Sequence, residues 1–460
     1  MNRILSTMLF AALLPAGSLL AQKELPPAGG QPKDFTLPKR TTVTVENGLA
    51  LTLVPYGTLP KVTAYVVVRT GHINESANEV WLSDLMGEWM KEGTTTRSAQ
   101  ALARDAAKIG GSISVSVGDD RMFISGDALG EFAPELVKLL ADVVRYPRFP
   151  ESELPRLKND LRRRLSMEEA DPQTLALQQF RKRLYGEHPY GRLLPTESDV
   201  KNFTAEMVKQ FYAENLGAAR THIYAAGVFD ASKVEEAVRT AFAGWPRGSG
   251  PVANLPNSVS KRAIYIVDRP GAAQSTIYLG LPVPDPSSPD WIPLDITNSL
   301  LGGSFASRIT TNIRENKGYT YSPYSRVSAR LRDAYWLETA DVSTDVTGPS
   351  LKEIFYEINR LASAPPTSEE LKGIQNYASG IFVLRNSAPA MILNLIMFLD
   401  LHGLPDQFLS DYIRTIYQVT PEQVQRLTMK YLRPDDMTIV IAGDAKKIEK
   451  QVAPYGRIVR

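Results

Sequence analysis

Alternation of apolar and polar residues marks the first strands of the chain. Residues 41–54 alternate, break at Asn47 and Gly48, and alternate again, which predicts a β-hairpin. Residues 62–70 predict a further strand, and residues 112–126 predict two strands that turn at Gly118 and Asp119. Apolar residues at helical spacing predict helices over residues 80–91, 98–109, 131–144 and 152–169.

The second half of the chain repeats the first. Thr204 and Gly227 recur as Thr420 and Gly443, in each case 216 residues later, and both copies place a threonine-capped helix before a short apolar strand. So long a repeat indicates duplication of one domain. We therefore predict an α+β fold of two homologous domains, at residues 38–245 and 262–455, joined by a linker at 246–261. Each domain is expected to be an antiparallel-rich sheet with helices packed on one face.

The amino terminus has the features of an export signal. Arg3 precedes an apolar run that ends at small residues, so residues 1–21 predict a secretory signal peptide and residues 22–37 a flexible arm. A retained membrane anchor is the alternative, because the run is almost long enough to span a bilayer. Pro15 and Gly17 favour cleavage after Ala21. We expect a periplasmic or secreted protein with no membrane span after cleavage.

Composition narrows the possible chemistry. The chain has no cysteine, which excludes disulfides, thiolate catalysis and cysteine-ligated metals. Lys and Arg number 52 and Asp and Glu 50, and this balance argues against a nucleic-acid binder. The four histidines, His72, His188, His222 and His402, are far apart in sequence, and no pair has metal-ligand spacing. We predict no metal ligand in this chain.

Short motifs, weak one by one, occur in a recognisable order. They are Asn47-Gly48-Leu49, Gly71 with Glu75, Gly93-Thr94 with Ser98 and Leu102, Gly110-Gly111, Tyr146-Pro147 with Phe149, His188-Pro189-Tyr190-Gly191, LGGSFASRI at 301–309 and RENKGYTYS at 314–322. With the internal repeat, this order resembles the pitrilysin/insulinase-type zinc peptidases. It resembles in particular their two-domain subunits, such as those of mitochondrial processing peptidase and of bacterial periplasmic relatives. The resemblance covers nearly all of the chain after the signal.

The zinc motif of that family is degenerate here. The family carries H-x-x-E-H on a helix that ends at the Gly-Thr pair, with a glutamate ligand further downstream. The corresponding positions hold Asp84, Gly87 and Glu88, and the downstream ligand falls in an arginine run near Arg164. Gly87 has no side chain, so the general base is missing. Asp84 and Glu88 share a helix face, but two carboxylates without imidazole suit Ca²⁺ or Mg²⁺ better than Zn²⁺.

The arginine run offers a replacement for the metal. The resemblance implies that the helix with Arg162, Arg163 and Arg164 packs beside the helix of Asp84 and Glu88. One or more guanidinium groups could then neutralise these carboxylates. The alternative is that all three arginines face solvent, although adjacent residues of a helix cannot all face one way.

The resemblance also implies two functional residues in the second domain. In heterodimeric relatives the subunit without zinc offers an Arg and a Tyr in a pattern that here gives Arg314 and Tyr321. Both side chains can donate hydrogen bonds to a scissile carbonyl as negative charge develops on its oxygen. Ordinary packing at a helix end is the alternative.

The family binds substrate as an added strand at a sheet edge near the zinc helix. The residues that correspond to that edge are Gly111, Ser112, Ile113 and Ser114, and their alternation would permit such pairing. An ordinary amphipathic strand explains the pattern equally well.

These features favour a zinc-less subunit, inactive alone. We expect it to pair with a homologous H-x-x-E-H subunit as a heterodimer and to help degrade or process peptides. Zinc is expected on the partner, and no cofactor on this chain. The alternative is a non-enzymatic scaffold or peptide-binding protein of the same fold.

Overall fold

Two six-stranded mixed sheets form from the alternating segments. The computed structural model describes residues 34–459 except Val252, so the predicted signal peptide and most of the predicted arm lie outside the described residues. The strands of the first sheet are β1 (Thr41–Thr44), β2 (Ala50–Pro55), β3 (Lys61–Val68), β4 (Ile113–Val117), β5 (Met122–Leu129) and β6 (Thr221–Gly227). Those of the second are β7 (Ala263–Asp268), β8 (Gln274–Val283), β9 (Tyr324–Arg330), β10 (Asp333–Ser343), β11 (Thr438–Gly443) and β12 (Ile458–Val459).

Five strands of each sheet follow the same order, and the sixth strand differs. The first has the order β1-β2-β6-β3-β5-β4 and the second β12-β7-β11-β8-β10-β9. In the first sheet only the β2–β6 pair is parallel. Its counterpart β7–β11 is parallel too, as is the short β12 on β7. The predicted hairpin is confirmed, with Thr44 opposite Ala50.

The helices follow the same repeat. The first half contains α1 (Leu82–Met90), α2 (Ala99–Lys108), α3 (Ala133–Arg145), α4 (Leu154–Ala170), α5 (Pro172–Tyr185), α6 (Glu197–Asn202), α7 (Ala205–Asn215) and α8 (Ala231–Ala241). The second contains α9 (Trp291–Asn298), α10 (Arg308–Thr310), α11 (Thr347–Ser363), α12 (Ser368–Arg385), α13 (Pro389–His402), α14 (Gln407–Ser410), α15 (Tyr412–Gln418), α16 (Pro421–Tyr431) and α17 (Ala445–Val452). Two π-helical segments, Ser299–Gly303 and Thr311–Asn316, flank α10.

Helix capping reproduces the sequence repeat in three dimensions. The Thr204 hydroxyl accepts the N–H of Met207 at the start of α7, and the Thr420 hydroxyl accepts that of Gln423 at the start of α16. Each helix precedes an interior strand of its sheet, β6 or β11. The α+β fold of two related halves is therefore confirmed.

Each half also sends one helix to the sheet of the other half. Phe180 of α5 is fully buried in a cluster with Tyr335 and Val440 of the second sheet. Ile396 of α13 is fully buried in a cluster with Tyr224 and other residues of the first sheet. Helices therefore cover both faces of each sheet. The sequence predicted one covered face. Apolar periodicity does not show which sheet a helix packs on, so it could not predict the second.

Helices α12 and α13 follow one another along the chain with a sharp bend between them. Among residues 34–459, no single helix is long and apolar enough to cross a membrane. The pair α12 and α13 passes that test of length and composition only when taken together, and the two are bent by 112°.

Candidate functional site

The helix at the zinc position, α1, is held by its apolar residues. Leu82, Leu85, Met86 and Trp89 are fully buried, so the helix belongs to the core of the first half. Gly87 presses against β4, since a Cβ built on it would lie 3.1 Å from Cγ2 of Val117. The position of the general base is thus closed by packing as well as lacking a side chain.

The two carboxylates of α1 have different surroundings. The Asp84 side chain is 12% exposed, whereas that of Glu88 is 50% exposed and pairs with Lys91, with 2.5 Å between Oε2 and Nζ. Asp84 and Glu88 are four residues apart and lie on one face of the helix, but they pair with different residues. A site built from Asp84 and Glu88 together is therefore absent from this part of the structure.

One arginine of the run reaches the vacated position. Nη1 of Arg164 lies 3.0 Å from Oδ1 of Asp84, and the guanidinium carbon lies 4.2 Å from the centroid of the Trp81 ring. Arg162 and Arg163 pair with carboxylates elsewhere on the surface. Arg164 therefore makes the contact with Asp84 that the replacement hypothesis requires, although its side chain is 48% exposed, as much as that of Arg162 at 49%.

A histidine supplies a second cation, which residue spacing did not predict. Nε2 of His72 lies 2.7 Å from Oδ2 of Asp84, and Nδ1 lies 3.4 Å from Oδ1 of Asp119. Burial lowers the pKa of His72, but the hydrogen bonds to Asp119 and Asp84 outweigh it and raise the pKa to about 10. Burial likewise raises the pKa of Asp84, and the hydrogen bond to His72 together with the charges of His72 and Arg164 lowers it overall. His72 is therefore an imidazolium between carboxylates at neutral pH.

Asp119, in the β4–β5 turn, connects this position to the second half. Its carboxylate lies 3.1 Å from Nη2 of Arg181 and 3.0 Å from Nε of Arg330, a residue of β9. Burial raises the pKa of Asp119, but the hydrogen bond to His72 and the charges of Arg330 and Arg181 hold it well below its usual range. We call Arg164, Asp84, His72, Asp119, Arg181 and Arg330 the ionic chain. It joins the degenerate zinc helix to a strand of the other sheet.

Glu75 lies beside this chain and is almost fully buried. Its Oε1 accepts the Ser83 N–H at 2.9 Å and the Ser83 hydroxyl at 2.5 Å, and its Oε2 accepts the Trp81 N–H at 3.1 Å. Burial raises the pKa of Glu75 to about 7, against the opposing charge of His72. Glu75, His72 and Asp84 each place one nitrogen or oxygen atom within 4.8 Å of such an atom of the other two.

Arg314 and Tyr321 are brought together, away from the ionic chain. The guanidinium carbon of Arg314 lies 4.9 Å from the Tyr321 ring centroid and 4.4 Å from that of Phe305. Tyr321 is 81% exposed. Among the described residues, no hydrogen bond or ion pair links either residue to Asp84 or His72, and the ion pair that Arg314 makes is with Glu315, at 3.2 Å.

The predicted peptide-binding residues lie at a sheet edge. Ile113 and Ser114 belong to β4, the last strand of the first sheet, and Gly111 and Ser112 lead into it. A Cβ on Gly111 would lie 1.7 Å from the carbonyl oxygen of Asp127, so only glycine fits there. The edge is available for strand addition, and peptide binding there stays a prediction.

Sequence profiles match two consecutive parts of the chain. Residues 54–196 match insulinase (peptidase family M16), and residues 202–377 match the peptidase M16 inactive domain. The chain belongs to the insulinase family, peptidase family M16.

Relatives of the chain include proteins with and without peptidase names. An uncharacterized zinc protease of Bacillus subtilis (strain 168) is 26% identical over 61% of this chain and 68% of its own length. A non-peptidase homologue of Helicobacter pylori is 22% identical over 85% of this chain and 90% of its own. The crystal structure of a peptidase M16 inactive domain from Pseudomonas fluorescens superposes with a TM-score of 0.81 at 24% identity, over 88% of this chain and 98% of that one, which shows a shared fold.

The residues at the family's metal position do not fit zinc. Gly87 offers no donor, Glu88 is exposed and paired with Lys91, and Arg164 is a cation where a ligand is needed. Asp84 is the single remaining donor of that motif, and both of its oxygens already face cations. No catalytic step is therefore assigned to a metal on this motif.

Proposed function

We propose that this chain is the zinc-less subunit of an exported M16-type peptidase. It pairs with a homologous subunit that carries H-x-x-E-H and zinc, and together they degrade or process peptides. Its own contribution is Arg314, Tyr321 and the β4 edge. The predicted signal peptide is the basis for placing the complex in the periplasm or outside the cell.

One observation carries this proposal. The Arg314 guanidinium lies over the ring of Tyr321, which is largely exposed, while Asp84 at the chain's own zinc position is paired with Arg164 and His72. Arg314 is partly exposed and pairs only with its neighbour Glu315 among the described carboxylates, at 3.2 Å, and such a pair at the surface suits an active site completed by another chain.

The chemistry of the pair fits acyl transfer. The guanidinium is a permanent cation with fixed N–H donors, and the phenol is a neutral donor. Donors of this kind hydrogen-bond a carbonyl oxygen more strongly as it becomes an oxyanion, so they lower the barrier to attack on the peptide bond. Removing one such donor costs about 10²–10³-fold in kcat.

The test is reconstitution. The mature chain is assayed alone and mixed with an H-x-x-E-H homologue from the same cell, and bound zinc and peptide cleavage are measured for each. We expect zinc on the homologue and cleavage that rises at least tenfold on mixing. Arg314→Ala and Tyr321→Phe should abolish that rise without preventing complex formation.

Arg360 and Tyr356 provide matched controls, because they form another partly exposed Arg–Tyr contact, with 6.0 Å between guanidinium carbon and ring centroid. Arg360→Ala and Tyr356→Phe should leave cleavage by the mixture unchanged. Stoichiometric zinc with cleavage by this chain alone would refute the proposal.

The other function of the same fold is a scaffold or peptide-binding protein. The open β4 edge favours it, because strand addition needs no catalytic group. Peptide binding without cleavage in every mixture would support this second function against the first.

A further inference from the structure

Phe305 is a large apolar side chain that is 65% exposed beside the Arg–Tyr pair. It lies in the turn between the π-helical segment Ser299–Gly303 and α10. The guanidinium carbon of Arg314 lies 4.4 Å from the centroid of its ring. A cation at this distance from an aromatic ring is attracted by the ring's electron density. Phe305 therefore contacts one of the two residues on which the proposed function depends.

The faces of aromatic rings hold the Arg314 guanidinium and leave most of its donors unused. Tyr321 is the second ring, with its centroid 4.9 Å from the guanidinium carbon. Nε of Arg314 lies 3.2 Å from Oε1 of Glu315, whereas neither Nη1 nor Nη2 hydrogen-bonds another residue in the part of the chain that the structure describes. An aromatic ring contacts a guanidinium without occupying its N–H groups, so both Nη atoms stay available to a carbonyl oxygen.

Phe305 stands on a tight turn that is anchored to α12. The Ser307 N–H donates to the carbonyl oxygen of Ser304 at 3.1 Å, which closes the turn around Phe305. Arg308 follows Ser307, its side chain is 9% exposed, and it forms two hydrogen bonds of 2.7 Å with Glu370 of α12. Paired bonds of this kind fix both position and orientation. The backbone that carries the Phe305 ring is therefore held in place.

Phe305 also borders a cavity of about 540 Å³, which Leu300, Ile374 and Tyr377 line with it. The cavity gives Phe305 a second possible role, as a wall for a bound side chain. Tyr377 separates the two roles. It borders the same cavity, but among residues 34–251 and 253–459 it makes no ring contact with Arg314.

We propose that Phe305 is a positioning residue, whose ring holds the Arg314 guanidinium in the orientation that meets the scissile carbonyl. The inference rests on the proposed function, in which Arg314 donates to that carbonyl. Phe305 touches no reacting atom, so its effect passes through Arg314. Such an effect is large in rate, because a misplacement of 1 Å can cost about 10²-fold.

The first experiment measures kcat and KM of the mature chain mixed with the H-x-x-E-H homologue. Phe305→Leu keeps an apolar side chain and removes the ring, whereas Phe305→Tyr keeps the ring. We expect Phe305→Leu to lower kcat by about tenfold with KM unchanged, since the lost interaction belongs to the transition state. Phe305→Tyr should retain most of the wild-type kcat. Tyr377→Leu is the matched control and should leave kcat unchanged.

The second experiment measures the contact itself in the chain without its partner. Phenylglyoxal should modify Arg314 roughly threefold faster after Phe305→Leu than in wild type, because the ring no longer covers the guanidinium. Arg360 is the internal reference, because it contacts Tyr356 instead and its rate should not change. Mass spectrometry of the digested chain reports both rates. Thermal melts establish that every variant is folded.

The outcomes decide the proposal. An unchanged kcat in Phe305→Leu, or an equal loss in Phe305→Leu and Phe305→Tyr, would overturn it. So would a rise in KM shared by Phe305→Leu and Tyr377→Leu, which would show that Phe305 serves the cavity instead. If no mixture cleaves peptide, the proposed function fails and the phenylglyoxal rates alone judge the contact. Equal rates for Arg314 in wild type and Phe305→Leu would then show that Phe305 does not position it.

Discussion

Asp119 is the carboxylate on which the ionic chain depends, and Asp119→Asn is the change that tests it. The substitution keeps the shape of the side chain and removes its charge. It leaves Arg181, 5% exposed, and Arg330, 16% exposed, without their shared counter-charge, and it also weakens the partner of His72. Removing one member of a buried ion pair costs about 3–5 kcal/mol, because the remaining charges stay desolvated.

The expected loss can be stated as a melting temperature. A chain of 460 residues unfolds with an entropy of ~1 kcal/mol/K, so a loss of 3 kcal/mol lowers Tm by about 3 °C. The assay is differential scanning calorimetry at neutral pH and moderate salt. Asp160→Asn is the matched control, because Asp160 also lies between two arginines but is 41% exposed, where such pairs contribute about 0–1 kcal/mol.

A double-mutant cycle assigns the loss to the contact between the halves. If Asp119 acts through Arg330, Asp119→Asn should cost less in an Arg330→Met background, with an interaction energy of about 0.5–3 kcal/mol. A melting temperature for Asp119→Asn within 1 °C of both wild type and Asp160→Asn, or strict additivity with Arg330→Met, would show that the contact does not stabilise the chain.

Two other contacts give predictions of stability. Burial lowers the pKa of His222 in the folded chain to about 4. As pH falls from about 6.5 to 4, this histidine is therefore protonated in the unfolded chain before it is protonated in the folded one. Folded stability should fall across that window by on the order of 2–3 kcal/mol, and His222→Gln should flatten the Tm profile measured between pH 7 and pH 5. Ile396 of α13 is fully buried against the first sheet, so Ile396→Ala should cost about 2–5 kcal/mol in urea unfolding. Met429→Ala, at a side chain that is 51% exposed, should stay within about 0.5 kcal/mol of wild type.

Much of the fold could be predicted because its signals are local. Period-two alternation located β1 to β5, and helical spacing located α1 to α4 within a few residues. The repeat between Thr204 and Thr420 predicted equivalent halves, since the same capping residue starts α7 and α16. The reciprocal packing of α5 and α13 carries no such signal, because an apolar helix face looks the same whichever sheet it covers.

The site was predictable only where residues share one element or a known motif. The positions of Asp84, Gly87 and Arg164 followed from the family's spacing, and the Arg164–Asp84 contact is present. His72 was missed because tertiary structure, not spacing, brings it to Asp84. Gly71 packs so closely on the β4–β5 turn that a Cβ there would lie 2.2 Å from the Gly118 carbonyl oxygen, and this contact places His72 beside Asp119.

The filled zinc position also explains why the chain would not regain the family's chemistry by a simple reversal. Replacing Asp84 with histidine would remove the carboxylate that now separates Arg164 from His72. Three cationic or potentially cationic groups would then share one partly buried position, and an unpaired buried charge is costly. Arg164 would have to change together with the motif residues before a metal replaced the side-chain cations. The ion pairs that Asp84 makes with Arg164 and His72 and the absence of a zinc site on this motif are therefore two sides of one arrangement.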